Sequence, residues 1–185
     1  MKLNIGSGFT RLDGFLNVDG DPLVYPDYLV DFSKDPLPFD DNSVDEIRAH
    51  HIFEHLDSCF FNLIKEIYRV CKPEAIIDIE VPYYKHDEFY GDPTHCRPFT
   101  LGTFELFSKK HNYEHIKQYN SSNGCGIKFD VDFEIQQYGY LFDAQLKEYV
   151  DSLPELERER YIHTHWNVIQ RLRVIWKVIK GVNYD

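Results

Sequence analysis

The spacing of short apolar segments in the first fifty residues constrains the fold most strongly. Four such segments are predicted as strands, and the first three stop at or near a glycine or an aspartate, as buried strands do on entering a tight turn. They cover residues 2–5, 15–19, 28–32 and 44–49. Because residues 6–14 are too few for the usual crossover helix, we expect at most a single helical turn between the first two strands.

A helix and a fifth strand are predicted next. Asp57-Ser58 is a plausible helix N-cap, and Lys72-Pro73 stops the pattern that follows. Residues 75–81 then form a nearly unbroken apolar run around Asp78 and Glu80, which suits a central parallel strand. The helix is marked by apolar side chains at helical spacing: Phe60, Leu63, Ile64, Ile67 and Cys71. This order of elements predicts an α/β domain with a largely parallel sheet.

The second half of the chain gives weaker signals. Residues 82–98 are predicted to be a long structured loop at the carboxyl end of a strand, where open α/β sheets bind ligands. Thr100 can cap a short helix through residue 109, and residues 129–135 alternate like a half-buried strand. Residues 144–163 look helical with a break at Pro154, and β-branched residues favour an antiparallel strand over a helix at 168–180.

Length and composition limit the class of protein. A chain of 185 residues and 22.0 kDa fits one domain, which we divide into a cofactor-binding half (1–82) and an acceptor half (83–185). No apolar run approaches the roughly 18 residues needed to cross a bilayer, and no signal peptide is evident, so we expect a cytoplasmic protein. The four cysteines lack C-x-x-C spacing and are expected to be reduced thiols.

The net charge of −11 is concentrated in one part of the chain. Residues 13–57 contain 12 acidic side chains against only Lys34 and Arg48. Without a basic stripe the chain is not expected to bind double-stranded nucleic acid, because that affinity comes mostly from neutralising phosphates. A cationic ligand would suit this region, although a solvated acidic face would have the same composition.

Gly6-Ser7-Gly8 and Asp19 are the first candidates for a ligand site. Glycine lets the backbone pass close to a ligand, and a carboxylate at the end of the second strand can accept hydrogen bonds from both hydroxyls of a ribose. Position 11 is Arg11, where a dinucleotide fingerprint requires a third glycine, and no Gly-Lys-Ser/Thr follows. These observations weaken the case for a nicotinamide dinucleotide as cofactor, and they exclude a phosphate-binding P-loop.

Four motifs covering about residues 2–82 resemble the class I S-adenosylmethionine-dependent methyltransferases. They resemble especially the short bacterial and phage members that are similar to methyltransferase type 11. The motifs are LNIGSG, NVD, VDFSKDPLPFDDNSVDEIRAHHIFEHL and EIYRVCKPEAIIDIEVP. The usual Lys-Pro-Gly-Gly turn of the family is Lys72-Pro73-Glu74-Ala75 here. The resemblance implies a Rossmann-like fold with a mostly parallel seven-stranded sheet, an antiparallel C-terminal strand and helices on both faces.

The resemblance also implies S-adenosyl-L-methionine as cofactor. The backbone around Gly6 and Gly8 would cradle the methionine part, Asp19 would bind the ribose, and His50 would lie near the sulfonium. Asp31 and Phe32 would lie beside the adenine. The expected cofactor-binding residues are Asn4, Gly6, Ser7, Gly8, Asp19, Asp31, Phe32 and His50.

A histidine-rich segment after the fourth strand can be interpreted in more than one way, with or without a bound metal ion. His51, Glu54 and His55 match the H-x-x-E-H spacing of inverted zinc peptidases. Many methyltransferases carry a similar sequence at this position, and the chain shows no dedicated third residue to bind a zinc ion. A divalent ion held by Glu54 and His55 with His86 or His95, as in RNA 2′-O-methyltransferases that resemble this arrangement, is an alternative. The main expectation is that no metal is bound and that His55 packs beside the sheet.

The loop at 82–98 is expected to meet the methyl acceptor. His95 is the leading general base, with His50 and Asp92 as the other catalytic candidates, although His95 could instead tie the loop to the sheet. Tyr83, Tyr84 and Tyr90 could line the pocket. No Asp/Asn-Pro-Pro-Tyr follows the fourth strand, which argues against methylation of DNA bases.

The expected function is methyl transfer to an oxygen or nitrogen of a small molecule or glycan, with a glycan or glycolipid precursor favoured. The alternatives are a non-catalytic interaction domain that keeps the fold and a metal-dependent enzyme like the RNA 2′-O-methyltransferases.

Overall fold

The computed structural model describes residues 1–119 and 124–184. Its centre is a seven-stranded sheet with the order β3-β2-β1-β4-β5-β7-β6. Strands β1 to β5 are parallel, and β7 lies antiparallel between β5 and β6. The strands are β1 (Lys2–Ile5), β2 (Phe15–Asp19), β3 (Tyr28–Leu29), β4 (Val44–His50), β5 (Cys71–Pro82), β6 (Phe133–Phe142) and β7 (Ile169–Val178). The predicted mostly parallel sheet with an antiparallel C-terminal strand is confirmed.

Seven α-helices occur in the described part of the chain. They are α1 (Phe60–Val70), α2 (Asp87–Gly91), α3 (Leu101–Glu105), α4 (Lys109–Tyr119), α5 (Cys125–Phe129), α6 (Lys147–Ser152) and α7 (Glu155–Thr164). Two further segments, Pro22–Val24 and Phe53–His55, are single 3-10 turns. Over these residues, the structure contains no helix with both the length and the apolar character that crossing a membrane requires.

The main core lies between one face of the sheet and α1. Leu63, Ile64 and Ile67 are buried along one side of this helix and join a cluster that includes Leu3 and Ile77. The spacing of three to four residues puts them on a single helical face. Towards the other end of the sheet, fully buried Trp176 of β7 packs against aromatic rings of Phe104, Phe107 and Phe133.

The opposite face of the sheet is polar. Right-handed crossovers carry the β1–β2 and β2–β3 connections over this face, yet residues 6–14 and 20–27, all described, contain no α-helix. Charged side chains pair across neighbouring strands instead: Lys2 with Glu46 at 2.6 Å, and Arg173 with Asp78 at 2.6 Å. The helices around the sheet are therefore unevenly distributed, and the acidic residues inside the apolar run of β5 point to this polar face.

The segment before β6 differs from the sequence prediction. The alternation over 129–135 indicated a strand, but α5 ends at Phe129 and β6 begins only at Phe133. Asp130 adopts a left-handed backbone (φ 54°), and the carboxylate of Asp132 accepts a hydrogen bond from the backbone N–H of Lys109 at the start of α4. The apparent alternation therefore comes from a helix end and a turn.

Other predicted boundaries agree more closely with the structure. Thr100 caps α3 and exchanges hydrogen bonds with Thr103, although α3 ends at Glu105 and a separate helix begins at Lys109. A break beside Pro154 divides α6 from α7. All four cysteines are free, and burial raises the pKa of the Cys71 thiol to about 12, so this thiol is un-ionised at neutral pH.

Candidate functional site

The glycine turn after β1 lies where the sheet order reverses direction, between β1 and β4. Open α/β sheets bind ligands at such a point, beyond the carboxyl ends of the strands. Gly6 and Gly8 both have positive φ, at 65° and 50°, and the Gly6 N–H donates to the carbonyl of Val18 at 2.9 Å. A Cβ on Gly6 would lie 2.6 Å from the Cβ of Ile52, the residue that leads into the turn after β4. The two segments therefore meet at this edge, and the close approach requires glycine.

This contact predicts that Gly6→Ala destabilises the protein more than Gly8→Ala does. Both substitutions force a left-handed backbone on alanine, at about 1–2 kcal/mol. A Cβ at Gly8 would meet no atom within 4 Å, so only Gly6→Ala also overlaps Ile52, at about 1–3 kcal/mol more. Urea unfolding of the two variants measures the difference, and equal losses of stability would contradict the contact.

Asp19 is held in place by two backbone donors. Its carboxylate accepts a hydrogen bond from Gly8 N at 2.8 Å and another from Asp21 N at 2.9 Å. A carboxylate has about four lone-pair sites, so two remain for a ligand. Asp19 thus joins the end of β2 to the glycine turn with its carboxylate already oriented.

The Asn4 side chain is occupied by hydrogen bonds within the protein. Its side chain is fully buried and donates to the carbonyl of Thr10 and to the side chain of Asn17, while Arg48 donates to its oxygen. The amide therefore holds the loop that contains the glycine turn. Ser7 is also buried, and its hydroxyl is 3.4 Å from the carbonyl of Gly8.

Asp31 and Phe32 occupy the loop after β3. The Asp31 carboxylate turns back onto its own loop, where hydrogen bonds from Lys34 and Ser33 lower its pKa to about 2. Phe32 packs against the core and lines a cavity of about 290 Å³ together with Lys34 and Asn62. The predicted third strand included both residues, but β3 ends at Leu29, so they lie in the loop that follows it.

His50, the last residue of β4, lies beside Asp78 of the polar face. Its Nε2 is 3.2 Å from Asp78 Oδ1, and its side chain is 11% exposed. Although burial acts to raise it, hydrogen bonds from His50 and Arg173 hold the pKa of Asp78 well below its usual value.

His51 lies between two carboxylates. A left-handed backbone (φ 55°) puts its Nδ1 3.3 Å from Glu54 Oε1 and its Nε2 3.2 Å from Glu80 Oε1. Hydrogen bonding with Glu54 and then Glu80 raises the pKa of His51 to about 9, so the ring is cationic at neutral pH. Arg171 also pairs with Glu80, at 3.2 Å.

Glu54, His55 and His95 come together although His95 is some forty residues further along the chain. The backbone N–H groups of Cys96 and Arg97 donate to the carbonyl of Glu54, at 2.8 and 3.3 Å, and so fasten the loop to the turn after β4. Each of the three residues offers a ligand atom within 4.8 Å of the others. His86, the alternative metal ligand, instead caps α2 by accepting a hydrogen bond from Glu88 N.

The imidazole of His95 is fixed by its neighbours. Its Nδ1 lies 2.8 Å from the carbonyl of Phe89 and must donate to it, which leaves Nε2 with a free lone pair. The side chain is 7% exposed and stacks on the Phe89 ring. Asp92 Oδ2 is 3.9 Å from Nε2, and Asp92 Oδ1 accepts from both the backbone and the hydroxyl of Thr94.

Aromatic side chains lie in the loop at 82–98 and beside it. Tyr83 and Tyr84 pack against each other at 4.8 Å between ring centroids, and Tyr90 lies 5.8 Å from Trp166. The last two are mostly exposed, at 58% and 55%. Sequence reasoning gave no role to Trp166, Ile52 or Thr94. Ile52 and Thr94 lie in segments that it placed at this edge, but only the fold shows their contacts, and only the fold brings Trp166 here.

The strand order, the glycine turn and the acid at the end of β2 define the class I methyltransferase fold. Residues 18–79 match a family described as a methyltransferase domain. No curated protein sequence matches the chain significantly. The family match over residues 18–79 and the shared fold make the chain similar to the class I S-adenosylmethionine-dependent methyltransferases, and S-adenosylmethionine is the expected cofactor.

Solved structures of similar fold cover nearly the whole chain. A SAM-dependent methyltransferase from Archaeoglobus fulgidus has a TM-score of 0.61 at 19% identity, covering 95% of this chain and 85% of that one. YcgJ from Bacillus subtilis has 0.57 at 13%, covering 98% and 92%. A putative sarcosine dimethylglycine methyltransferase from Galdieria sulphuraria has 0.56 at 16%, covering 98% and 78%. At these identities the structures establish the fold.

Proposed function

We propose that the protein transfers a methyl group from S-adenosylmethionine to a hydroxyl, or to a nitrogen, of a glycan or glycolipid precursor. The observation that carries this proposal is the position of the oriented Asp19 carboxylate and the glycine turn at the switch point of the sheet, with the His95 loop at the same carboxyl edge.

The residues at the glycine turn fit the cofactor. Gly8 leaves open space where a side chain would otherwise stand, and Asp19 has unused acceptor sites for two ribose hydroxyls. The excess of acidic residues between 13 and 57 suits the sulfonium and ammonium groups of the cofactor. Asn4 supports this site from below by holding the loop, and Asp31 and Phe32 are proposed to lie beside the adenine.

His95 is the side chain proposed to act on the acceptor. When bound, S-adenosylmethionine supplies an electrophilic methyl group, and alignment of the acceptor with it provides much of the catalysis. A hydroxyl acceptor must also lose its proton, and the free lone pair on His95 Nε2 can take it. Asp92 beside His95 can stabilise the resulting imidazolium. His50, paired with Asp78, is a less suitable base.

The exposed aromatic pair supports a carbohydrate acceptor. Tyr90 follows Phe89, whose carbonyl and ring both contact His95, so Tyr90 and Trp166 border the proposed acceptor site. Their rings offer apolar faces on which a sugar ring can stack while its hydroxyls remain hydrated.

Calorimetry with S-adenosylmethionine and its demethylated product tests the first step. We expect both to bind, and absence of heat with either would favour a non-catalytic interaction domain. Transfer of labelled methyl groups to a panel of oligosaccharides, with RNA as the comparison, tests the acceptor. Trp166→Ala should raise the KM for a sugar acceptor, whereas exposed Leu156→Ala should not. Methylation of RNA alone would overturn the glycan proposal and leave methyl transfer intact.

A further inference from the structure

We propose that Glu54, His55 and His95 bind a divalent cation of the first transition series, such as Mn²⁺ or Zn²⁺. The three ligand atoms lie within 4.8 Å of one another, and two backbone hydrogen bonds from Cys96 and Arg97 to the carbonyl of Glu54 hold the segments together. Metal–ligand bonds of about 2.0–2.2 Å require closer spacing, so small side-chain adjustments would complete the site.

Glu54 is the first reason to place a cation here. It is fully buried, and neither of its carboxylate oxygens receives a well-aligned hydrogen bond from the described residues. His51 Nδ1 lies 3.3 Å from Glu54 Oε1. A buried carboxylate is costly unless its oxygens are satisfied. His51 contacts only one of the two oxygens, which leaves Oε2 for a metal ion.

The orientation of the two imidazoles is the second reason. His55 Nδ1 lies 2.9 Å from the hydroxyl of Thr94, and that hydroxyl donates its proton to Asp92, so His55 Nδ1 must be the donor. His95 Nδ1 donates in the same way to the carbonyl of Phe89. Both rings therefore keep Nε2 as a free acceptor. Histidines that bind metals commonly have their other nitrogen fixed by such a partner.

The donor set selects the kind of ion. Two imidazoles and one carboxylate suit Zn²⁺, Mn²⁺ and their neighbours, whereas Ca²⁺ and Mg²⁺ prefer oxygen ligands throughout. Three protein ligands leave coordination positions open. If a hydroxyl is methylated as proposed above, its oxygen can fill one of them, and the cation would favour loss of its proton in place of His95, whose Nε2 lone pair would then be occupied. This last step rests on the proposed function, but cation binding itself does not.

Metal titration of the full chain tests the proposal. After treatment with EDTA and desalting, calorimetry with MnCl₂ or ZnCl₂ should show one ion per chain, and elemental analysis should give the same ratio. Glu54→Gln and His95→Ala should each weaken binding at least ten-fold. His163→Ala, at an exposed histidine that is not one of the three grouped residues, is the matched control and should bind like the parent chain.

Two results would overturn the proposal: no binding of either ion by the parent chain, or unchanged binding in Glu54→Gln and His95→Ala. Circular dichroism checks that the variants fold. If Glu54→Gln does not fold, His55→Ala takes its place. Binding of S-adenosylmethionine is measured in parallel. If the parent chain binds S-adenosylmethionine but no metal ion, only the proposed cation site is wrong. If it binds the metal ion but not S-adenosylmethionine, only the proposed enzymatic function is wrong.

Discussion

Asp19→Asn is expected to raise the dissociation constant for S-adenosylmethionine at least ten-fold. The carboxylate is positioned by Gly8 N and Asp21 N to accept two ribose hydroxyls, and a hydrogen bond to a charged group contributes about 1.5–3 kcal/mol. The amide keeps one oxygen but replaces the other with a donor, so at least one of these bonds is lost. Calorimetry on the folded variant measures the change.

The matched control is Asp21→Asn. Asp21 carries the same charge two residues away, and its side chain accepts a hydrogen bond from Leu23 N at the start of the 3-10 turn. It should therefore leave cofactor affinity nearly unchanged. The unliganded Asp19 variant should also melt at a lower temperature, because Gly8 N or Asp21 N loses its acceptor. An unaltered dissociation constant in a folded Asp19→Asn would show that the ribose binds elsewhere.

The sheet and the first long helix were predictable because their signals are local. Apolar runs that end in tight turns indicated the parallel strands, and helical spacing of apolar residues indicated α1. The polar face was harder to predict. Asp78 and Glu80 interrupt the apolar run of β5, and only the absence of helices in the β1–β2 and β2–β3 connections explains why such residues are accommodated there.

The roles of individual site residues depended on contacts distant in sequence. Asn4 was expected to contact the cofactor, yet its amide is occupied by Thr10, Asn17 and Arg48. The requirement for glycine at position 6 comes from Ile52, which no local pattern reveals. The choice between His86 and His95 as partner of Glu54 likewise needed the fold, because both histidines lie in the same loop.

The meeting of Glu54 with His95 also changes how the histidine motif is interpreted. In sequence, His51, Glu54 and His55 stand at peptidase spacing, which suggests that the two histidines act together. In the structure His51 pairs with Glu54 and Glu80 and is cationic, so it cannot ligate a metal in that state. In the proposed cation site the second imidazole is that of His95, which lies in the loop and also borders the proposed acceptor site.

His95→Ala should lower turnover at neutral pH by at least about 10²-fold while leaving cofactor affinity nearly intact. The ring is buried and contacts Phe89, His55 and Asp92, so its loss should affect the acceptor side more than the cofactor. Exposed His163→Ala is the control and should retain full turnover. Steady-state kinetics with an identified acceptor, together with calorimetry for the cofactor, separates the two effects.

The pH profile and a chelator distinguish how His95 acts. If it is the general base, the variant should lose the acidic limb of the profile, because that limb reports protonation of this imidazole. If it is a metal ligand, EDTA should abolish the activity of the parent chain, and added Mn²⁺ or Zn²⁺ should restore it there but not in His95→Ala. A third result would mean that His95 only holds the loop. In that case EDTA would not affect the activity of the parent chain, and His95→Ala would bind acceptor poorly but keep the acidic limb of the pH profile. The proton would then have to be taken by Asp92 or His50.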